Sequence, residues 1–94
     1  MFFDVSMDLL FHVRPDRVTV MLEEGGVVVA SVDLVDTRSL SQTLLPVVDG
    51  LLGNRSTKPE ELGDIRVVSE VLPGFTSHRI VETTARILLS LIHI

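Results

Sequence analysis

Arg17-Val18-Thr19-Val20-Met21-Leu22-Glu23-Glu24-Gly25-Gly26-Val27-Val28-Val29-Ala30-Ser31-Val32-Asp33-Leu34 is the stretch whose reading decides the fold. Val18, Val20 and Leu22 recur at period two, which places them on one face of a strand, and Val28, Ala30, Val32 and Leu34 repeat the pattern. Between the two runs, Glu23-Glu24-Gly25-Gly26 supplies turn residues that tolerate positive φ. Two alternating runs joined by such a turn predict a β-hairpin.

Upstream of the hairpin, Met1 to Val5 is a short apolar run carrying Asp4 and reads as a buried strand. Ser6 to Asp16, interrupted by Pro15, reads as an irregular connection. Downstream of Asp36 the period changes from two to that of a helix. Leu40, Leu44, Val47, Val48 and Leu51 form one stripe, Ser39 stands at the N-cap, and Gly53-Asn54 ends the helix. Pro46 lies inside it and predicts a kink, because proline removes a backbone donor and crowds the preceding turn. Thr57-Lys58-Pro59-Glu60 has the form of a capping box opening one helical turn. Ile65 to Val71 reads as a fourth strand, broken by Pro73-Gly74. A last helix begins near Thr76, with Ile80, Thr84, Ile87, Leu88 and Leu91 as its inner face. The expected order is β-β-β-α-β-α, an α/β fold with one mixed sheet covered by two helices.

At 94 residues the chain makes one domain with a thin core, and its hydrophobic share of 46% is enough to fill it. No cysteine is present, so neither a disulfide framework nor a thiolate nucleophile or metal ligand enters the reading. The first ten residues carry Asp4 and Asp8 without Lys or Arg, unlike a signal peptide, and no apolar run reaches membrane-spanning length. A cytoplasmic setting is expected. The net charge of -5 opposes binding to a phosphate backbone, so any RNA is expected to be held by a partner.

Asp4 is the one acid placed where a first strand could present a metal ligand, as in RNase H-like nucleases, but two-metal hydrolysis needs several converging carboxylates. Met7-Asp8-Leu9-Leu10-Phe11-His12, where a phosphate-binding turn would fall, contains no glycine. His12, His78 and His93 form no i, i+4 pair, so surface or capping roles are expected for them in place of zinc binding. Ser39, Ser41, Thr76 and Ser77 lack a neighbouring His-Asp arrangement, and helix capping accounts for them. No catalytic residue, metal or cofactor is assigned. Leu45, Leu52, Val81 and Leu89 fall off the two helical stripes and are expected on flanks or outer faces, where a leftover apolar patch marks a partner surface.

Five blocks together resemble the N-terminal lobe of the TsaB family, actin-like proteins of tRNA threonylcarbamoyladenosine synthesis with an RNase H-like fold. They are Phe2-Phe3-Asp4-Val5-Ser6, the hairpin Val18 to Val32, Ser39 to Pro46 (Ser-Leu-Ser-Gln-Thr-Leu-Leu-Pro), Lys58-Pro59-Glu60-Glu61-Leu62, and Phe75-Thr76-Ser77-His78-Arg79-Ile80 continuing through Thr83-Thr84-Ala85. They fall in family order over residues 1–88. The departures are concentrated around glycines: Val71-Leu72-Pro73-Gly74 stands where the family has Gly-Pro-Gly-Ser, and Ser77 and Val81 replace two further glycines, while Leu40 replaces a usual histidine.

The resemblance implies a non-catalytic subunit that activates a TsaD-type threonylcarbamoyltransferase. It implies possible company from a TsaE-type ATPase or a second copy, and contact with tRNA only through the complex. The two helices would supply the interface, with Ser41, Leu45, Arg79, Thr83 and Arg86 as its residues and Arg79 matching the family's signature arginine. Alternatives are a divergent nuclease using Asp4 and a truncated, self-associating fragment. The family's second lobe is missing from the sequence, and residues 89–94 (Leu-Ser-Leu-Ile-His-Ile) match nothing expected there. A truncated reading frame with a tail translated from sequencing adapter is the expectation.

Overall fold

The computed structural model describes residues 7–35 and 39–92. Its elements are β1 (Met7–Val13), β2 (Val18–Glu24), β3 (Val27–Leu34), α1 (Leu40–Gly53), a 3-10 turn (Pro59–Glu61), β4 (Leu62–Ser69) and α2 (Thr76–Ile92). The sheet order is β3-β2-β1-β4, with β1–β2 and β2–β3 antiparallel and β1–β4 parallel. This is the mixed sheet with two helices that the sequence predicts.

The central hairpin forms as its pattern dictates. Gly25 and Gly26 take φ of 62 and 86°, the left-handed pair that a two-residue turn matched to strand twist requires. The register slips once, after Leu22, so that Leu22 faces Ala30 and Glu23 faces Val28. Val29 is left as a bulge. Its carbonyl is not orphaned, because the Arg55 guanidinium donates to it at 2.9 Å.

A strand stands where the sequence predicts an irregular connection. The segment read as an irregular connection is β1, a central strand whose Leu9, Phe11 and Val13 are fully buried. Apolar Leu10 on the opposite face hides the alternation, and Pro15 lies beyond the strand's end. Arg14-Pro15-Asp16-Arg17 makes the tight connection to β2, closed by the Arg14 amide donating to the Arg17 carbonyl at 2.8 Å. The expected strand over Met1 to Val5, with Asp4, lies outside the described residues. Met7 to His12 is strand, where the sequence offers a place for a phosphate-binding turn.

Both helices pack on the face of the sheet made by Leu9, Phe11, Val13, Val18, Val20 and Leu22. Helix α1 contributes Leu40, Leu44, Val48, Leu51 and Leu52, and α2 contributes Val81, Ala85 and Leu88. Each such side chain taken fully from water contributes roughly 1.5–3 kcal/mol. Two expectations fail here: Leu52 and Val81 are 1% and 0% exposed, not on flanks, whereas Ile87 is 48% exposed, not inward. In α2 the apolar positions 80, 81, 85, 87 and 88, with Thr84 among them, spread over roughly 160° of the helix circumference, so periodicity alone does not choose the buried centre. The sheet buries Val81, Thr84, Ala85 and Leu88, so Thr84 and Leu88 of the predicted stripe do face inward while its centre is rotated by roughly 65° towards Val81.

Helix ends also differ in detail. Ser39 holds the N-cap position without a side-chain cap bond, and its carbonyl instead accepts the Thr43 hydroxyl at 3.0 Å. The box before β4 is closed by Glu61, whose carboxylate accepts the Lys58 amide at 3.2 Å. Thr57 turns back to the Arg55 carbonyl, so the predicted Thr57–Glu60 reciprocity does not form.

Candidate functional site

Helices α1 and α2 lie side by side on the sheet and leave a groove of about 410 Å³ between their outer edges. Ser41 and Leu45, one turn apart on α1, form one wall. Arg79, Ile80, Thr83 and Ile87 recur along α2 at the spacing that keeps side chains on one helical face and form the other. Leu45 and Ile87 remain 39% and 48% exposed, so the groove has apolar side chains that the fold itself does not cover. Four of the five residues expected at an interface, Ser41, Leu45, Arg79 and Thr83, thus share one groove. Arg86 stands beyond it, in a second depression of about 280 Å³ shared with Arg79, Glu82 and Thr83.

The electrostatics of this surface are uneven. Arg86 donates to the Glu82 carboxylate at 2.5 Å in an exposed i, i+4 pair, a type of contact worth only about 0.3–0.5 kcal/mol. Arg79 enters no ion pair among the described residues. Arg79 and Arg86 thus place a cation at each end of a two-turn span on a chain of net charge -5.

A second cluster was not legible in the sequence. His78 Nδ1 lies 3.0 Å from Ser69 Oγ, and His78 Nε2 lies 3.0 Å from Glu82, which also holds Arg86. The order Ser–His–Glu resembles that of a hydrolytic triad. The Ser69 hydroxyl, however, is already engaged with the amide and carbonyl of Val71 at 3.2 and 3.1 Å, and it lines neither depression. The arrangement ties α2 to the end of β4. His78, expected to serve on the surface or as a cap, is instead only 15% exposed and bridged on both nitrogens. The i, i+4 relation of His78 and Glu82 was present in the sequence, but Ser69 joins them only through the fold.

The open ends of β1 and β4 carry a third charged group. His12 and Arg14 meet Glu70, and Arg17 meets Asp16 and Asp33. Arg17, through its hydrogen bond first and its charge second, holds the Asp16 carboxyl below the usual carboxylate range. These cations are matched within the cluster. Among the described residues, no three His, Asp or Glu side chains gather to hold a metal ion. No described helix is long and apolar enough to cross a membrane. Asp4 and His93 lie outside the described residues.

No protein-family model and no curated protein matches the sequence. Solved structures do match the fold. YeaZ from Pseudomonas aeruginosa superposes with a TM-score of 0.78 at 24% identity, over 94% of this chain and 40% of that one. A second structure, described as an uncharacterized protein with similarity to peptidase YEAZ from Pseudomonas aeruginosa, gives the same values. YeaZ belongs to the TsaB family, to which the sequence motifs independently pointed. The chain has the fold of a YeaZ-type lobe and spans about 40% of the length of the structures it matches.

Proposed function

We propose that this chain is the docking lobe of a TsaB-type subunit in tRNA threonylcarbamoyladenosine modification. It performs no chemistry itself and pairs with a TsaD-type threonylcarbamoyltransferase through the groove between α1 and α2. The observation that carries the reading is the uncovered apolar wall of that groove, Leu45 on one helix facing Ile87 on the other, on a lobe of YeaZ fold. Covering what remains exposed of each contributes on the order of 1 kcal/mol. The rest of a stable pairing would come from the surrounding helical surface, since specific interfaces bury about 800 Å² per partner. Family order of the motifs in Ser39 to Pro46 and Phe75 to Ala85, the two stretches that supply every lining residue of the groove except Ile87, supports the same placement.

Light scattering over a concentration series, with and without a TsaD-type subunit, tests the proposal. The expected result is a mixed species that forms with the wild-type chain and is lost with Ile87→Asp, whose fold survives because the side chain is half exposed. A monomer mass unchanged by the subunit rejects the reading. Self-association alone, equally sensitive to Ile87→Asp, assigns the groove to a second copy instead.

A further inference from the structure

Strand β3 forms one border of the described sheet, whose order is β3-β2-β1-β4. The Arg14 amide bonds the Arg17 carbonyl, while Val13 gives its carbonyl to Glu70 beyond β4. Even-numbered residues of β1 therefore turn their backbone groups to β2, and Val18, Val20 and Leu22 of β2 turn theirs to β3. They meet Leu34, Val32 and Ala30, which leaves the amides and carbonyls of Ser31 and Asp33 directed outward. The first half of this edge is closed, because Val29 is bulged and its carbonyl accepts the Arg55 guanidinium. Among the described residues only Arg55 donates a side-chain bond to the β3 backbone. In the second half the one charge is Asp33, and it is turned away from the edge towards β2. There it accepts the Thr19 hydroxyl at 2.5 Å and lies 3.6 Å from Arg17. Ala30 to Val35 is thus a bare, β-prone edge with no charge laid over it.

We infer that this edge pairs antiparallel with the same edge of a second copy, about a two-fold axis at Val32, joining two four-stranded sheets into one. A contact of this symmetry needs a segment complementary to itself, and outward-facing residues must oppose one another. Centring on Ser31 would run each strand into the other's bulge at Val29, and centring on Asp33 would set like charges directly opposite. Centring on Val32 does neither. It opposes Ser31 to Asp33 of the second copy, twice over, so that both pairs exchange main-chain hydrogen bonds and each serine hydroxyl faces a carboxylate. On the other face Ala30 opposes Leu34 of the second copy, and Val32 opposes its own equivalent. Each Asp33 keeps its own Arg17, but the net charge of -5 on each copy opposes approach, so the pairing is weak and strengthened by salt. It lies on the sheet border, outside the groove between α1 and α2, and does not depend on the proposed function.

The chain has no cysteine, so one introduced thiol reports the contact. Across an antiparallel pair that exchanges no backbone bonds the Cα atoms lie about 4.5 Å apart, within disulfide reach, so Val32→Cys can link to its own equivalent. Val35, 65% exposed, is the more accessible position, but Val35→Cys is held about 20 Å from its equivalent, six residues out of register. Under mild oxidation at equal protein concentration, Val32→Cys is expected to form a disulfide-linked dimer about tenfold faster than Val35→Cys. Ser31→Pro in the Val32→Cys chain removes an outward donor without touching the ladder to β2, and should lower the rate to that of Val35→Cys. Circular dichroism checks that variant's fold; if it does not fold, the two cysteine chains decide alone. Equal rates, faster linkage at Val35→Cys, no dimer, or a rate unmoved by a folded Ser31→Pro overturns the inference. So does a rate that falls with Ile87→Asp, which assigns the contact to the groove. A chain that links through Val32→Cys yet ignores the TsaD-type subunit overturns the functional proposal and leaves this one standing.

Discussion

The imidazole of His78 stands 3.0 Å from the hydroxyl of Ser69, joining the first turns of α2 to the last residue of β4 across nine positions of sequence. The linker between them, Glu70 to Phe75, exposes Leu72 and Phe75 and is held by few bonds, among them the Phe75 amide to the Leu72 carbonyl. The angle at which α2 leaves the sheet is therefore set in part by the His78 clasp. His78→Ala removes two hydrogen bonds but leaves no buried orphan, since Ser69 keeps Val71 and Glu82 keeps Arg86. The expected loss is about 1 kcal/mol. A thermal melt should show it as a fall of roughly 4–8 °C for a domain of this size. An unchanged melting temperature would mean that the clasp contributes nothing and that packing alone orients α2.

Leu52 and Leu45 test how the helix surface is divided. They lie on the same helix, carry the same side chain, and were both expected on its flank. The structure buries Leu52 to 1% exposure and leaves Leu45 at 39%. Leu52→Ala should cost about 2–5 kcal/mol, the range for a core leucine truncated to leave a cavity. Leu45→Ala should cost well under half of that, about 1 kcal/mol or less, because water already reaches the side chain. Urea denaturation of the two variants measures the difference. Equal costs would place Leu45 in the core and remove the apolar wall from the groove.

Those two leucines also show where sequence reading stops. The hairpin was legible because alternation at Val18, Val20 and Leu22 and the glycine pair at 25 and 26 report local constraints, and local constraints are written locally. β1 was not, because Leu10 makes an almost continuous apolar run of Leu9 to Phe11, and only its pairing with β2 and β4 tells strand from connection. In α2 the apolar positions wrap so far around the axis that the choice between Val81 and Ile87 belongs to the sheet. Val81 stands where the resembling family has glycine, and its full burial shows a site filled by a side chain, which no spacing rule could report. The groove was readable in part through motif order, which selected Ser41, Leu45, Arg79 and Thr83. Ile80 and Ile87 joined it only once the rotation of α2 was known. Ser69, nine residues from His78, carried no signal at all.

Among the described residues β4 is an edge of the sheet, and that edge supplies the last prediction. The Glu70 amide donates to the Val13 carbonyl, so even-numbered residues of β4 direct their backbone groups to β1 and odd-numbered residues direct theirs outward. The Ile65 amide therefore faces the open edge. It is met there by the Asp64 carboxylate at 2.8 Å, a side chain folded over its own strand. An edge strand with unpaired amides is a template for pairing with another chain, and a charge placed over it is a common protection. Asp64→Ala removes both the acceptor and the charge, leaving the Ile65 amide exposed beside Val67. The expected outcome is little change in monomer stability, within about 0.5 kcal/mol for an exposed site, together with concentration-dependent association through β4. Size-exclusion chromatography over a hundredfold concentration range reads this directly, and Asp64→Asn, which keeps an acceptor oxygen, should remain closer to wild type. Because the groove lies between α1 and α2 while Asp64 is on β4, Ile87→Asp should not suppress the new association. If it does, the added contact runs through the groove and the carboxylate does not guard the edge.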